Sequence, residues 1–211
     1  MKQIIDIATW NRKEHFEYFS QFSDPFWGVT VIVDVAAAYE QAKAVGVPFS
    51  MWYLFLSLRA ANEQEAFRYK LEDNQVVVYD SVHAGPTIAR ADGTFGFALM
   101  RYQSNWKLFF EQASAESQRV KNGSGLWATE NLPNIIHYST VTNLHFTSLR
   151  HARHFPFNDS CPKITFGQAK RVEEQLLMPV SLHMHHALAD GAAGGLFFEK
   201  FQMLLNTCSP G

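Results

Sequence analysis

Toward the C-terminal end, apolar residues occupy every second position from Leu176 through Met178, Val180 and Leu182 to Met184. A period of two is the pattern of a strand with one apolar side. Ser181, His183 and His185 take the opposite side, and His186 continues the apolar one before the chain reaches Asp190-Gly191, a turn signal. Residues 164–172 and 176–185 are expected to pair around Glu173-Glu174-Gln175 as a hairpin. After Gly191 the period lengthens: Phe197, Phe201, Leu204 and Leu205 recur at helical spacing and predict a closing helix.

The same reading organises the rest of the chain. Asn11 and Glu14 have the spacing of a capping box, and Phe16, Phe19 and Phe22 follow as the expected buried stripe of a first helix. Arg12 falls in its first turn, where a cation opposes the helix dipole at a cost of about 0.3–1 kcal/mol unless an anion answers it. Ser23-Asp24-Pro25 ends that helix, and residues 27–35 alternate as a strand. Residues 36–45 read as an alanine-rich helix ended by Gly46. Residues 49–58 are apolar almost all round and predict a buried helix. A hairpin is expected around Glu72-Asp73-Asn74, with strands near 87–90 and 94–102, a helix from about Asn105 and a short strand over 135–139. Strands mixed with helices in no regular alternation predict an α+β fold, a two-layer sandwich with a mixed, largely antiparallel sheet covered by helices.

Composition narrows the class. With 47% hydrophobic residues, a length of 211 and no linker or repeat, residues 1–211 are expected to form a single domain. A formal charge of -2 gives no general attraction to nucleic acid or to anionic membranes. The longest apolar run covers residues 51–56, far short of the ~20 needed to span a bilayer. Cys161 and Cys208 lie in no metal-binding spacing, and no signal-peptide core opens the chain, so a soluble cytoplasmic protein is expected. His183 and His185 stand two apart on one strand face, a spacing able to hold zinc, but no third ligand is evident and no metal is expected. His145, His151 and His154 read as surface or loop residues.

His185-His186-Ala187-Leu188-Ala189-Asp190-Gly191 matches the HHxxxDG pattern, and residues 9–17, from Thr9-Trp10-Asn11-Arg12 to His15-Phe16-Glu17, match the opening WxRxEHFE. With these two motifs the chain resembles the type A chloramphenicol acetyltransferases, within the CoA-dependent acyltransferases. Asp80-Ser81-Val82, Thr94-Phe95, Pro162 with Ile164-Thr165, and Leu177-Met178-Pro179 extend the resemblance over nearly the whole chain. It implies that His186 is the general base, that Asp190 pairs with Arg12, that Ser139 supplies the oxyanion donor and that Thr165 holds an active-site water. It implies an acceptor pocket of Tyr18, Phe19, Pro25, Trp27, Thr87, Phe95 and Phe97, and a homotrimer whose active sites lie between subunits. Acetyl-CoA would be a co-substrate, with no permanently bound cofactor.

The chemistry calls for these residue types independently. An attacking hydroxyl must lose its proton, and an imidazole titrating near about 6.5 is largely neutral at pH 7 and can take it. A placed hydroxyl donor toward the developing oxyanion is worth ~3 kcal/mol. No protein nucleophile is needed if both substrates bind together, so a ternary complex is expected. The chain departs from the family where CoA is expected to sit: Thr142-Asn143 stands in place of a proline and tryptophan, and Ala169 in place of an adenine-stacking tyrosine. Pro25 and Phe97 replace smaller or different residues in the acceptor pocket. The departures leave two alternatives: another hydroxylated acceptor, or a catalytically silent trimer that binds a hydrophobic ligand.

Overall fold

In a computed structural model, which describes residues 1–127, 132–152 and 159–207, the chain runs β1 (Lys2–Ile4), α1 (Lys13–Phe19), β2 (Phe26–Asp34), α2 (Ala36–Ala44), α3 (Phe49–Asn62), α4 (Glu65–Arg68), β3 (Tyr69–Glu72), β4 (Gln75–Tyr79), β5 (His83–Ala89), β6 (Phe95–Phe97), α5 (Trp106–Asn122), β7 (Ile135–Thr140), β8 (Lys163–Phe166), β9 (Lys170–Val172), β10 (Gln175–His185) and α6 (Gly191–Thr207). Seven strands form one sheet in the order β2-β10-β8-β7-β5-β6, with β9 also on β10. The β5–β7 and β7–β8 ladders are parallel and the others antiparallel. A second sheet, β1-β4-β3, stands apart. The fold is α+β, as the mixture of periods predicts.

The two sides of β10 explain the layering. Met178, Val180, Leu182 and Met184 face the helical layer, and they and Phe197, Phe201, Leu204 and Leu205 of α6 are at most 3% exposed. Each such side chain stabilises the fold by roughly 1.5–3 kcal/mol. The helix α3, apolar all round as its sequence indicates, fills the space between α6 and α5, with Tyr53 against Phe166 and Trp52 against Phe110. On the opposite, polar side, Ser139, Thr165, Ser181 and Thr30 are successive register partners across four strands. One pleat nearer the end of β10, His137, Lys163, His183 and Gly28 form the next rung.

Three local readings are corrected. The first helix starts at Lys13, its cap position falls on Arg12, and no side chain caps it, so Asn11 and Glu14 form no capping box. No residue of α1 is buried and Phe22 is 44% exposed. This two-turn helix lies at the periphery, and Tyr18, Phe19 and Phe22 pack largely on one another. The expected strand over 164–172 is two strands, because Pro179 interrupts their partner. Pro179 has no N–H, its carbonyl accepts from Gly167 (2.8 Å), and a Cβ on Gly167 would come within 2.6 Å of the proline ring. The last hairpin strand ends at His185, as expected, and His186 belongs to the following turn. Among the described residues no single helix is long and apolar enough to cross a membrane.

Candidate active site

The turn after β10 is held by its own backbone and by two distant elements. The His186 amide donates to the Pro25 carbonyl at 2.7 Å, and the amides of Leu188 and Ala189 both donate to the His185 carbonyl at 3.0 Å. From β2, the Trp27 indole donates to the Ala189 carbonyl at 2.9 Å. Trp27 also explains Gly194, where a Cβ would lie 2.6 Å from the indole ring and push α6 off the turn. Asp190 closes the turn by accepting from the amides of Ala192 (3.1 Å) and Ala193 (3.3 Å) at the start of α6.

Arg12 answers that carboxylate. Its Nη1 donates to Asp190 at 2.7 Å, and Nη2 lies 3.5 Å from the His186 carbonyl. The cation that opposes the dipole of α1 is thereby paired with the anion that suits the N-terminus of α6. The hydrogen bond from Arg12 holds the Asp190 carboxyl below the ordinary carboxylate value, with burial opposing and the two amides assisting. The imidazole of His186 stacks on Phe19, with centroids 3.9 Å apart and planes within 4°, and Trp27 lies 6.2 Å away. His186 is half-buried, and its Nδ1 is buried with no hydrogen-bond partner among the described residues. Stacking and backbone bonds therefore orient the ring.

The remaining expected site residues divide into two groups. Tyr18, Phe19, Pro25 and Trp27 gather around His186. Ser139 and Thr165 are neighbours on β7 and β8, and Thr87 pairs with Phe97 beside Phe95 at the far edge of the sheet. Within one chain the groups do not meet: Ser139 shares a rung with Ser181, which precedes His186 by five residues along β10. At strand geometry that is about 16 Å along the sheet and about 10 Å across it. None of three surface clefts, of about 420, 300 and 450 Å³, is lined by His186. Asn143 is exposed, and Ala169 packs partly against the core. Their segments lie side by side through a 2.7 Å bond from the Gln168 amide to the Leu144 carbonyl.

The other histidines are placed as follows. His151, read as a loop residue, hydrogen-bonds the Thr165 hydroxyl through Nε2 (3.2 Å) and meets the His183 ring edge-on at 5.1 Å. Only the folding of residues 144–152 over the polar side of the sheet produces that contact, so no local pattern signals it. His183 Nδ1 is bonded to the Ser181 hydroxyl, and His185 Nδ1 accepts from the Ala187 amide. His145 bonds the Gln168 carbonyl. His154 and Cys208 lie outside the described residues.

A family model described as chloramphenicol acetyltransferase matches residues 2–202. The chain is similar to the chloramphenicol acetyltransferase of Proteus mirabilis, 26% identical over 200 residues covering 94% of this chain and 92% of that protein. It is 25% identical to that of Clostridium perfringens, covering 96% and 98%. A solved chloramphenicol acetyltransferase superposes with a TM-score of 0.89 at 30% identity, covering 97% of this chain and all of the other. A probable dihydrolipoamide acetyltransferase from Listeria monocytogenes shares the fold, with a TM-score of 0.68 at 13% identity over 95% and 92% of the two chains.

Proposed function

The chain belongs to the chloramphenicol acetyltransferase family, and we propose that it transfers the acetyl group of acetyl-CoA to the primary 3-hydroxyl of chloramphenicol. The observation that carries this reading is the Arg12–Asp190 pair, which ties the first helix to the turn presenting His186. In the proposed reaction the His186 imidazole takes the hydroxyl proton as the oxygen attacks the thioester carbonyl. The Ser139 hydroxyl donates to the oxyanion that forms. Collapse of the tetrahedral intermediate expels the CoA thiolate, which recovers the proton from the imidazolium. Both substrates are bound together, so no acyl-enzyme forms. Thr165 holds a water beside Ser139, and the CoA chain runs past Asn143 and Ala169.

The separation of the two residue groups supports a site between chains: the His186 group of one copy faces the Ser139 group of the next in a homotrimer. The reading is of one cytoplasmic domain. A second acceptor class is favoured by one contact, since Phe97 stacks on Trp127 at 4.6 Å and fills space in the acceptor half. A thiol-release assay with acetyl-CoA separates the two readings. Release stimulated by chloramphenicol and lost in His186→Ala is expected, together with resistance in a sensitive host. Release no faster than without the drug rejects chloramphenicol as acceptor, and activity toward another hydroxylated compound then favours the second reading. Failure to bind CoA by calorimetry rejects both.

A further inference from the structure

The chain leaves α5 without a buried anchor. Every residue from Lys121 to Trp127 is exposed, and Gly123 and Gly125 give the segment two positions with no side chain. The segment nevertheless delivers Trp127 to a fixed place, where its ring stacks on Phe97 at 4.6 Å with planes 27° apart. Phe97 meets Phe95 edge-on at 5.7 Å, so three aromatic rings make one wall at the β6 edge of the sheet. Phe95 and Trp127 are 46% and 58% exposed, an apolar surface open to a ligand. Holding a glycine-bearing, exposed segment in one conformation costs entropy, so bonds from elsewhere must fix its backbone.

Those bonds come from Arg90, the residue after β5. Its guanidinium donates through Nε to the Val120 carbonyl (3.0 Å), through Nη2 to the Gly125 carbonyl (2.8 Å) and through Nη1 to the Phe95 carbonyl (3.2 Å). Val120 lies in the last turn of α5, where carbonyls lack helical partners and a cation suits the negative end of the dipole. The arginine is itself held in place: its amide donates to the Thr94 carbonyl (2.9 Å) across a turn in which Gly93 has a φ of 82°. Buried Gly96 leaves room for the guanidinium, since a Cβ there would lie 2.4 Å from Nη2 and 2.9 Å from Val120 Cγ1. Beyond the clamp, the Phe97 amide donates to the Leu126 carbonyl at 2.9 Å, and Phe97 pairs in parallel with Trp127.

We propose that Arg90 is a positioning residue of the acceptor half: without touching substrate, it holds Trp127 on Phe97 and so sets how tightly the acceptor binds. Only the effect on the acceptor rests on the function proposed above, in which Phe95 and Phe97 line the acceptor pocket. An acceptor packed on this wall needs the Trp127 ring in place. Without the guanidinium the exposed segment opens, the fraction of molecules with a complete wall falls, and apparent affinity falls by that fraction. The His186 turn follows β10, and Asn143 and Ala169 follow β7 and β8, so the chemical step and the holding of acetyl-CoA are left alone.

Lys121 is a tryptic site at the head of the segment, so limited digestion of the full chain, followed by mass spectrometry, reads how often the segment opens. Arg90→Gln should be cut after Lys121 about tenfold faster than the native chain, with cleavage at the other shared sites unchanged. Gly96→Ala keeps the arginine but displaces it and should act alike. Arg90→Lys, which keeps the charge and loses the fork, should fall between. Circular dichroism melts show which variants are folded, and an unchanged cleavage rate in those overturns the clamp, whether or not the chain transfers acetyl groups. In acetyl transfer, the KM for chloramphenicol should rise about tenfold in Arg90→Gln, with kcat and the KM for acetyl-CoA unchanged. A faster-cut variant with an unchanged chloramphenicol KM, or with an equal loss in kcat, overturns the coupling to the acceptor. A native chain that transfers no acetyl group removes that coupling together with the proposed function, and the digestion then decides the clamp.

Discussion

The His186 ring rests face to face on Phe19, and no hydrogen bond from the described residues reaches its Nδ1. Its direction therefore depends on the backbone of its turn, which Asp190 holds through Arg12 on one side and two amides of α6 on the other. Asp190→Asn keeps the size and the amide contacts but loses the charge that draws Arg12. If His186 is the base, as proposed, its misplacement by a fraction of an ångström should lower kcat by roughly 10–100-fold, with KM nearly unchanged. Steady-state kinetics check this, and an unchanged kcat would show the ion pair to be irrelevant to the turn. Because the folded Asp190 is held below its ordinary value, its stabilisation is complete above the usual carboxylate range. It fades as pH falls through the depressed folded value. Denaturant melts of the native protein and Asp190→Asn should therefore differ at pH 7 and converge only in strong acid.

At the level of elements, Lys70 makes a prediction with the opposite sense. Burial lowers it from 10.5 to about 8, so between those values the unfolded chain binds more protons than the folded one. Stability should rise with pH across that window. Lys70→Met should remove the rise and make the protein more stable at pH 7 by on the order of 3 kcal/mol. Urea melts at pH 7, 8 and 10 measure both effects, and a destabilised Lys70→Met would mean that the ammonium has a partner in the folded state. Nothing in the sequence marks Lys70, which looks like any polar residue of a hairpin strand. The strand that carries it is fastened to Ser160, about 90 positions away, through the Leu71 amide. The helices and β10 were legible because a long periodic run outweighs local detail, as with Phe197, Phe201, Leu204 and Leu205. β1 was not, since Lys2, Gln3 and Ile4 are all exposed and carry no alternation. The Arg12–Asp190 contact, 178 residues apart, was legible only through the paired motifs.

Across the whole molecule, one chain keeps the proposed base, His186, away from the proposed oxyanion donor, Ser139. The strand register keeps His186 and Ser139 apart by an offset that side-chain motion cannot close. If each working site takes its base from one copy and its donor from another, two inactive variants must rescue each other. Mixed trimers of His186→Ala and Ser139→Ala chains, unfolded and refolded together in equal amounts, contain sites in which both contributors are intact. Each contributor is the right variant half of the time, so about a quarter of native activity should return. The separately refolded variants, mixed afterwards, should remain inactive. Recovery that rises toward this value with the fraction of mixed trimers, resolved by a charge tag on one chain, fits a site shared between copies. No recovery in mixed trimers would mean that base and donor act within a single chain, which would require β7 or the His186 turn to move far from its present place.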